Sequence, residues 1–394
     1  MKHEHMILFR LAQLKALCQF VVAYLIALFY KRDDTIWVVS ERGVDARDNG
    51  YWFFRYLRTQ HPEVEAFYLI SKEASDYERV KDFADHVIDY GSMRHYIMLW
   101  RASVLVSAHV QGYFPFRGLG LWLQRVLPSY RKKFHVNLKH GITKDHMSYL
   151  DYSNTHSDMI IAGVNQEYEY LLSAYGYPKE NVQLTGFCRF DGLTSQHKKR
   201  QILLMPTWRE WLYKEKEFIQ SEYVKKYISL LNNEDLLKLL ESMNVDLIFY
   251  PHHEVQKHIS VFKEKCQGKH IVIADKTAYD VQQLLVDSSL LVTDYSSVYF
   301  DFAYMRKPIL FYQFDVDRYR KEQYAEGWYD YDNGLGEVVK DEANCVSLIE
   351  KSIKSDFVMP ATYQAYADKM FPYRDNKNCE RVYNAICLRK KNRN

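Results

Sequence analysis

Short apolar segments alternate with amphipathic segments along most of this chain. In the first half, the apolar runs have the length and composition of buried strands and lie at residues 35–40, 66–70, 103–107, 136–138, 159–161 and 182–184. Stretches with helical spacing lie between them, such as residues 49–60 and 166–175. This alternation predicts a parallel β-sheet that helices cover on both faces.

A second series of strands follows a polar pause at residues 194–200. Its apolar runs lie at residues 202–205, 245–249, 270–273, 290–292 and 308–311. We therefore predict an α/β protein with two Rossmann-like lobes, residues 33–194 and residues 195–394, with a boundary near residue 195. The two sheets are expected to face a cleft, because ligands of open parallel sheets bind at the carboxyl ends of the strands. Packing of the last helix back on the first lobe is left open.

Residues 1–32 form a separate N-terminal segment. The stretch 6–30 is mostly apolar, but basic residues interrupt it and leave residues 16–30 as the longest uncharged run. Such a run is too short to span a bilayer as a helix, and no small-residue cleavage site follows it. We predict a helix that lies in the membrane surface, with a helix packed on the protein itself as the alternative. Aromatic and basic residues at 113–133 are a second candidate for contact with anionic lipid.

Composition and short motifs exclude several classes of protein. The 53 basic and 50 acidic side chains give a net charge of only +3, which argues against a general nucleic-acid binder. The six cysteines are scattered without metal-ligand spacing and are expected to be free thiols in a reducing cytoplasm. Neither a dinucleotide-binding glycine motif nor a P-loop occurs. We find no Asp-x-Asp motif of the sort that holds a divalent metal against a nucleotide diphosphate, so we expect a site without metal or cofactor.

Polar residues that can take part in chemistry follow the predicted strands. They are His140 with Gly141, Arg189 with Asp191, Thr207 with Arg209, His252, and Asp294 with Ser296 and Ser297. Gly141 lets the chain turn sharply and expose His140, whose neutral imidazole can remove a proton from a hydroxyl group. A structural histidine is the alternative. His252 has the same placement in the second lobe and is expected to stabilise phosphate oxygens, with His253 as the competing residue.

The segment 290–312 predicts a strand, a loop, a helix and a second strand, with its polar atoms gathered at one end. Ser296 and Ser297 stand where the helix begins, so their hydroxyl groups and the free backbone N–H groups can bind phosphate, or they simply cap the helix. Arg209 is expected to grip a pyrophosphate, or to form an ordinary ion pair. Asp301 is expected to reach a ribose hydroxyl or to brace the backbone.

Ordered motifs between Ile36 and Ile386 resemble the CDP-glycerol glycerophosphotransferases, which prime and polymerise teichoic acid chains. The motifs are Ser40-Glu-Arg-Gly, Asp48-Asn-Gly-Tyr, Lys139-His-Gly, Gly186 with Arg189 and Asp191, Pro206-Thr-Trp-Arg, Pro251-His, Thr293-Asp-Tyr-Ser-Ser-Val, Asp301, Lys307-Pro, Phe311-Tyr, Asp375-Asn and Glu380-Arg. The resemblance implies a GT-B fold and peripheral attachment to the cytoplasmic face of the membrane. It also implies transfer of glycerol phosphate from CDP-glycerol to a hydroxyl of a polyprenyl-diphosphate-linked saccharide, with release of CMP.

The resemblance also implies roles for individual residues. His140 and His252 would be catalytic. The donor would be held by Thr207, Arg209, Asp294, Ser296, Ser297 and Asp301, and residues that bind the acceptor or support the site would be Gly141, Arg189, Asp191, Asp48 and Asn49.

Two departures from the family pattern keep alternatives open. His253 stands where proline is expected, and Glu326 stands where arginine is expected, which removes a positive charge and leaves CDP-ribitol open as the donor. The chain carries little beyond the two lobes, which favours a primase or single-addition enzyme over a long-chain polymerase. A GT-B glycosyltransferase that uses a nucleotide sugar, and a membrane scaffold without activity, are the alternatives. A homo-oligomer is also left open.

Overall fold

The chain divides into two compact units in a computed structural model that describes residues 2–31, 33–193 and 199–393. Unit 1 contains Met1–Ile142, Met147–Gly192 and Tyr373–Asn394, and unit 2 contains Thr143–His146 and Leu193–Pro372. The boundary expected near residue 195 falls in residues 194–198, outside the described residues.

Unit 1 is built around one parallel sheet. Its strands are β1 (Ile36–Gly43), β2 (Glu65–Ile70), β3 (Val87–Asp89), β4 (Val104–Ser107), β5 (Phe134–Asn137), β6 (Met159–Ala162) and β7 (Val182–Leu184). They pair in the order β3-β2-β1-β4-β5-β6-β7. The helices that precede and connect them are α1 (Lys2–Ala27), α2 (Asn49–Gln60), α3 (Met93–Arg101), α4 (Arg117–Val126), α5 (Pro128–Arg131), α6 (Tyr152–Thr155) and α7 (Asn165–Ser173).

Unit 2 contains a second parallel sheet. Its strands are β8 (Gln201–Leu204), β9 (Asp246–Phe249), β10 (Ile271–Ile273), β11 (Leu290–Thr293), β12 (Ile309–Tyr312) and β13 (Glu337–Val339), in the order β10-β9-β8-β11-β12-β13. Its helices are α8 (Glu215–Ile219), α9 (Glu222–Leu231), α10 (Glu234–Met243), α11 (Ile259–Lys265), α12 (Val281–Asp287), α13 (Val298–Tyr304), α14 (Val316–Glu322), α15 (Glu342–Lys354) and α16 (Ala361–Met370). The last helix, α17 (Asn378–Arg393), lies in unit 1.

These sheets confirm the predicted fold class. Each apolar run predicted as a strand overlaps a strand of the structure, and the predicted helix 49–60 coincides with α2. Strands of a parallel sheet that is covered on both faces read as continuous apolar runs, which is why the pattern was informative. β3 and β13 were not predicted, because each has only two apolar residues in a row beside an acidic residue, Asp89 or Glu337, and β13 is only partly buried.

Helix α1 packs on unit 1 along one narrow face. Ala16, Phe20 and Ala23 are buried, and the rings of Phe20 and Trp100 in α3 lie 4.5 Å apart. Most other large apolar side chains of α1 are exposed, including Leu8 and Leu25. By length and composition alone, the segment Met6–Ala27 could cross a membrane. The structure therefore shows the alternative arrangement, a helix packed on the protein, and leaves its other faces apolar and exposed. The expectation that this segment is too short to span a bilayer was wrong by length, because α1 continues through the basic residues that interrupt the apolar run.

Candidate active site

His140 lies in the loop that follows β5, and Asp48 fixes the orientation of its ring. Asp48 precedes α2, where its side chain accepts a hydrogen bond from the backbone N–H of Asn49. The Nδ1–H group of His140 donates to Oδ2 of Asp48. A carboxylate only accepts, so the proton lies on Nδ1 and the lone pair on Nε2. The side chain of His140 is 70% exposed and that of Asp48 only 9%, so the free nitrogen is accessible while its partner is shielded.

The charges around this pair support each other. Burial alone would raise the pKa of Asp48, but the positive charges of His140 and Arg189 outweigh it and lower that pKa. The negative charge of Asp48 in turn raises the pKa of His140. Arg189 Nη1 donates to Oδ1 of Asp48 at 2.9 Å and to the carbonyl oxygen of His140 at 2.5 Å. Arg189 therefore fixes both the carboxylate and the loop that carries the imidazole.

Asn49 and Lys139 hold the same loop from the other side. Asn49 Nδ2 donates to the carbonyl oxygen of Lys139 at 2.8 Å, and its Oδ1 accepts from the backbone N–H of Arg189 at 3.0 Å. The residue that takes the left-handed conformation in this turn is Lys139, with φ of 53°, rather than the glycine after His140. Lys139 forms a buried ion pair with Glu167. The tight turn expected at Gly141 thus occurs two residues earlier, at Lys139, and the ion pair with Glu167 stabilises it.

Sequence reasoning missed two residues of this cluster, Glu41 and His109. Glu41 is buried, and its Oε1 accepts from the backbone N–H groups of Asp48 at 2.8 Å and Tyr51 at 3.0 Å. Burial, together with the charge of Asp48, raises the pKa of Glu41 to about 8. His109 follows β4, and its ring stacks on that of His140 with centroids 5.0 Å apart. Its place directly after an apolar strand was the signal that could have identified it.

One group of donor atoms is close enough together to be examined as a metal site. Asp48, His109 and His140 each place one donor atom within 4.8 Å of the others. The oxygens of Asp48 are already bonded to His140 and to the guanidinium of Arg189, whose positive charge opposes a cation. The arrangement suits an oriented imidazole base better than an ion, and we assign no metal ligands.

Asp191 supports the C-terminal helix. Its carboxylate accepts hydrogen bonds from the backbone N–H groups of Asn378 at 2.9 Å and Cys379 at 2.8 Å, at the start of α17. It also accepts from the side-chain amide of Asn378 at 2.7 Å. Asp191 therefore caps the N-terminus of α17 by accepting hydrogen bonds from its free N–H groups. The sequence could not distinguish this structural role from contact with the acceptor substrate.

In unit 2, Asp294 and Arg209 join the loops that follow β11 and β8. Asp294 Oδ1 accepts from the backbone N–H of Thr207 at 2.8 Å, and Oδ2 accepts from Nη2 of Arg209 at 2.8 Å. Asp315 binds the same guanidinium through two hydrogen bonds of 2.7 Å and 3.0 Å. Burial opposes the charge of Arg209, but both carboxylates outweigh it and raise its pKa.

This geometry differs from the phosphate contact that we expected for Arg209. Its side chain is fully buried, its remaining Nη1 donates to the carbonyl oxygen of Thr207 at 2.7 Å, and the ring of Tyr295 covers the guanidinium at 5.0 Å. All of its donors are directed at protein groups, because Asp315, far away in the sequence, completes the ion pair. Arg209 thus forms the ion pair that was the alternative to a phosphate contact, and it links the loops that carry Thr207 and Asp294.

Thr207, Ser296 and Ser297 present hydroxyl groups at the same end of this sheet. Among the described residues, the hydroxyl of Thr207 has no hydrogen-bond partner, although it is buried. Ser297 precedes α13 without a side-chain capping hydrogen bond in the described part of the chain, and both serines are half-buried. Simple capping does not therefore account for Ser297. Asp301 is buried within α13, which favours the bracing alternative over contact with a ribose.

His252 follows β9 and differs from His140 in its protonation. Its Nδ1 accepts a hydrogen bond of 3.3 Å from the backbone N–H of Glu254. A neutral ring that accepts at Nδ1 carries its proton on Nε2, so His252 can donate where His140 can accept. The ring lies parallel to that of Trp208, with centroids 6.0 Å apart. The competing residue, His253, places its Nε2 3.2 Å from Oε1 of Glu254.

The loop with the unusual acidic residue packs on residues 143–146, which belong to unit 2. Trp328 donates from its backbone N–H to the carbonyl oxygen of Lys144 at 3.1 Å and from its indole to that of Thr143 at 2.8 Å. A Cβ atom at Gly327 would lie 1.8 Å from the oxygen of Lys144, so only glycine fits there. Glu326 itself is exposed.

The sequence of this chain matches a known protein family and several characterised relatives. Residues 21–388 match the family described as CDP-Glycerol:Poly(glycerophosphate) glycerophosphotransferase. The chain is 31% identical over 388 residues to the minor teichoic acid biosynthesis protein GgaB of Bacillus subtilis (strain 168), covering 94% of this chain and 41% of GgaB. It is 25% identical over 360 residues to the teichoic acid poly(glycerol phosphate) polymerase of the same organism, covering 84% and 46%. This chain thus spans less than half the length of these relatives.

Solved structures support the fold. A structure of the wall teichoic acid polymerase TagF has a TM-score of 0.68 at 16% identity and covers 99% of this chain and 97% of that chain. At this identity the likeness establishes the fold alone, two parallel sheets of a GT-B-like α/β protein. The family match extends over most of the chain and confirms the resemblance seen in its motifs. The chain therefore belongs to the CDP-glycerol:poly(glycerophosphate) glycerophosphotransferase family.

Proposed function

We propose that this protein transfers glycerol phosphate from CDP-glycerol to a hydroxyl group of an acceptor and releases CMP. One observation carries the proposal: an exposed imidazole, His140, is held by the buried carboxylate of Asp48 with its Nε2 lone pair free. This is the arrangement that a general base requires when it must activate a hydroxyl group near neutral pH. Membership of the family supports CDP-glycerol as the donor.

In the proposed reaction, Nε2 of His140 takes the proton of the acceptor hydroxyl as its oxygen attacks the phosphorus atom that carries glycerol. The bond between that phosphorus and the bridging oxygen breaks, and CMP leaves with both bonding electrons. Asp48 stabilises the imidazolium that forms, because its charge already raises the pKa of His140. Asp48 stays ionised throughout, and the proton leaves His140 for solvent after the transfer.

Unit 2 would bind the donor and stabilise the phosphate charge. We assign the hydrogen-bond donor to Nε2–H of His252, because Nδ1 of that ring is occupied by the backbone N–H of Glu254. The hydroxyl of Thr207, unpartnered among the described residues, and the hydroxyls of Ser296 and Ser297 would bind phosphate oxygens. Arg209 would act through these loops, as a positioning residue, since its guanidinium is bound to protein carboxylates.

We further propose that the acceptor is a polyprenyl-diphosphate-linked saccharide in teichoic acid or related polymer synthesis, and that the protein adds a single unit or a primer. The exposed apolar faces of α1 support attachment to the cytoplasmic face of the membrane in a monotopic manner. Trp122 and Val126 on α4 are also exposed and extend the apolar surface of unit 1. The acidic Glu326 favours testing CDP-ribitol as a second donor.

The decisive experiment measures CMP release from CDP-glycerol and from CDP-ribitol with a lipid-linked amino-sugar disaccharide or its glycerol-phosphate-primed form. Wild-type protein is compared with His140→Ala and His252→Ala. The matched control is His270→Ala, because His270 also pairs with an aspartate, Asp246, at 2.8 Å but lies before β10, at the amino ends of the strands.

The proposal expects acceptor-dependent CMP that both site variants abolish and the control retains. Faster CMP release from CDP-ribitol would assign ribitol phosphate as the transferred group and would leave the assignment of the site residues unchanged. Release of nucleoside diphosphate from a nucleotide sugar would establish glycosyl transfer instead. CMP release that persists at wild-type rate in His140→Ala would refute the assignment of the base.

A further inference from the structure

His109 is a second imidazole at the point where the proposed base acts. It follows β4 and His140 follows β5, and these strands are paired in register, with Ser107 beside Asn137. The two rings are nearly parallel, with an interplanar angle of 24° and centroids 5.0 Å apart. A ring nitrogen of His109 lies within 4.8 Å of a ring nitrogen of His140. Two nitrogen-bearing rings are therefore presented together at the carboxyl ends of adjacent strands.

The backbone around His109 is rigid. Its N–H donates to the hydroxyl of Ser107 at 3.1 Å, and its carbonyl oxygen accepts from the N–H of Gly112 at 3.0 Å. A Cβ atom at Gly112 would lie 1.8 Å from the carbonyl oxygen of Glu41, so the loop is packed against β1 without free space. The backbone that carries the His109 ring is thus held by main-chain contacts.

The ring itself takes no part in holding the fold together through hydrogen bonds. Among the described residues, no group forms a hydrogen bond with the ring nitrogens of His109, and the residue is partly exposed. The core histidines of unit 1 behave differently: His95 is bonded to the carbonyl oxygen of Tyr113 at 2.8 Å, and His135 to the hydroxyl of Tyr113 at 2.7 Å. A histidine whose ring nitrogens bond no described group, beside the proposed base, is placed to contact substrate.

Burial and the neighbouring charges keep the imidazole of His109 neutral. Burial first, and then the positive charge of His140, lower its pKa to about 3, with Arg42 acting in the same direction and Asp48 opposing them. The guanidinium of Arg189 is bound to Asp48, and the carboxyl group of Glu41 accepts a hydrogen bond from the backbone N–H of Asp48. A neutral imidazole offers one donor and one acceptor, which suits a hydroxyl group better than a phosphate. It also does not compete with His140 for the proton.

We propose that His109 binds the acceptor, and that the two imidazoles together engage a vicinal diol. His140 would receive the attacking hydroxyl, and His109 would hydrogen-bond the hydroxyl on the neighbouring carbon. The oxygens of a gauche 1,2-diol lie about one hydrogen-bond length apart, so one diol can reach both nitrogens at once. His109 would thereby select acceptors that end in a 1,2-diol, as glycerol and most saccharides do. This inference rests on the proposed function, because it takes His140 as the base.

The test compares two synthetic lipid-linked acceptors that differ in one hydroxyl group. One ends in glycerol phosphate with both hydroxyls, and the other ends in 3-hydroxypropyl phosphate, which keeps the attacking hydroxyl and lacks its neighbour. Both are assayed for CMP release from CDP-glycerol with wild-type protein and with His109→Phe, which keeps a stacked ring but no nitrogen. Thermal unfolding of both proteins is measured alongside.

We expect kcat/KM of the wild type to be about tenfold higher for the diol acceptor, the size of one neutral hydrogen bond. In His109→Phe the ratio of kcat/KM for the two acceptors should fall from about ten to about one. A preference that persists in His109→Phe, or an equal loss for both acceptors, would overturn the inference. If the wild type releases CMP with neither acceptor, the proposed function fails. Equilibrium binding of the same acceptors to both proteins then decides the role of His109 by the same comparison.

Discussion

Replacing Asp48 with asparagine should remove the base without disturbing the fold. Asp48 has three donors around it: Oδ1 accepts from the backbone N–H of Asn49 at 2.7 Å and from Arg189 at 2.9 Å, and Oδ2 accepts from His140. An asparagine has only one oxygen. That oxygen should take the side with two donors, one of them a cation, and the NH2 group then faces Nδ1 of His140.

The consequence is a change of tautomer. An NH2 group can only donate, so Nδ1 of His140 must become the acceptor and the ring proton moves to Nε2. The lone pair that should take the acceptor proton is lost. General base catalysis contributes about 100-fold to 10,000-fold, so kcat for CMP release should fall within that range, with little change in KM for CDP-glycerol. As the pH is lowered, the wild-type rate should fall when His140 becomes protonated. In the variant this fall should occur at a lower pH, because Asp48 no longer raises the pKa of His140.

The assay is steady-state CMP release at saturating donor and acceptor over a range of pH. Asparagine is as good as aspartate at the start of a helix, so α2 should remain capped and the variant should remain folded over the pH range of the assay. Asp246→Asn is the matched control, since it alters the aspartate–histidine pair at the amino ends of β9 and β10. Activity of Asp48→Asn within threefold of the wild type, in folded protein, would refute this account of the site.

Three further predictions concern stability and donor binding. Arg209→Met should lower the free energy of unfolding by about 3–5 kcal/mol in urea titrations, because two buried carboxylates lose their partner; a loss below 1 kcal/mol would contradict this. Thr207→Val should leave unfolding unchanged, since its hydroxyl bonds no described protein group, but should raise KM for CDP-glycerol several-fold; an unchanged KM would remove Thr207 from the donor site. The Asp48–His140 pair should stabilise the fold most between the ordinary pKa values of 3.8 and 6.5. Its contribution is lost as pH rises through the raised pKa of His140 or falls through the lowered pKa of Asp48; urea unfolding of the wild type and Asp48→Asn at several pH values measures the difference, which should be greatest within that window.

The two histidines that sequence analysis singled out have opposite hydrogen-bonding states. His140 is bonded through Nδ1 to a carboxylate, and His252 accepts through Nδ1 from a backbone N–H. One neutral ring can therefore accept a proton at Nε2, and the other can donate one. In each ring the contact at Nδ1 decides which nitrogen carries the proton, so the difference in chemistry depends on local contacts that residue type does not reveal.

The strands, the helix α2 and the polar residues at strand ends could be read from the chain because they depend on local patterns. Apolar runs of three to six residues mark buried parallel strands, and an aspartate before Asn49 marks the start of α2. The same logic identified His140 and His252. The strands β3 and β13 escaped detection because two apolar residues beside an acidic one do not stand out as an apolar run.

Only the tertiary structure decided what each polar residue does. His140 is oriented by a carboxylate 92 positions away, and the guanidinium of Arg209 is bound by Asp315, 106 positions away. From the sequence, Asp191 could not be distinguished from a site residue, and only the structure shows that it binds the start of α17. Hydrogen bonds and ion pairs depend on distances of a few ångströms between atoms, which folding sets, whereas hydrophobic periodicity is written along the chain itself.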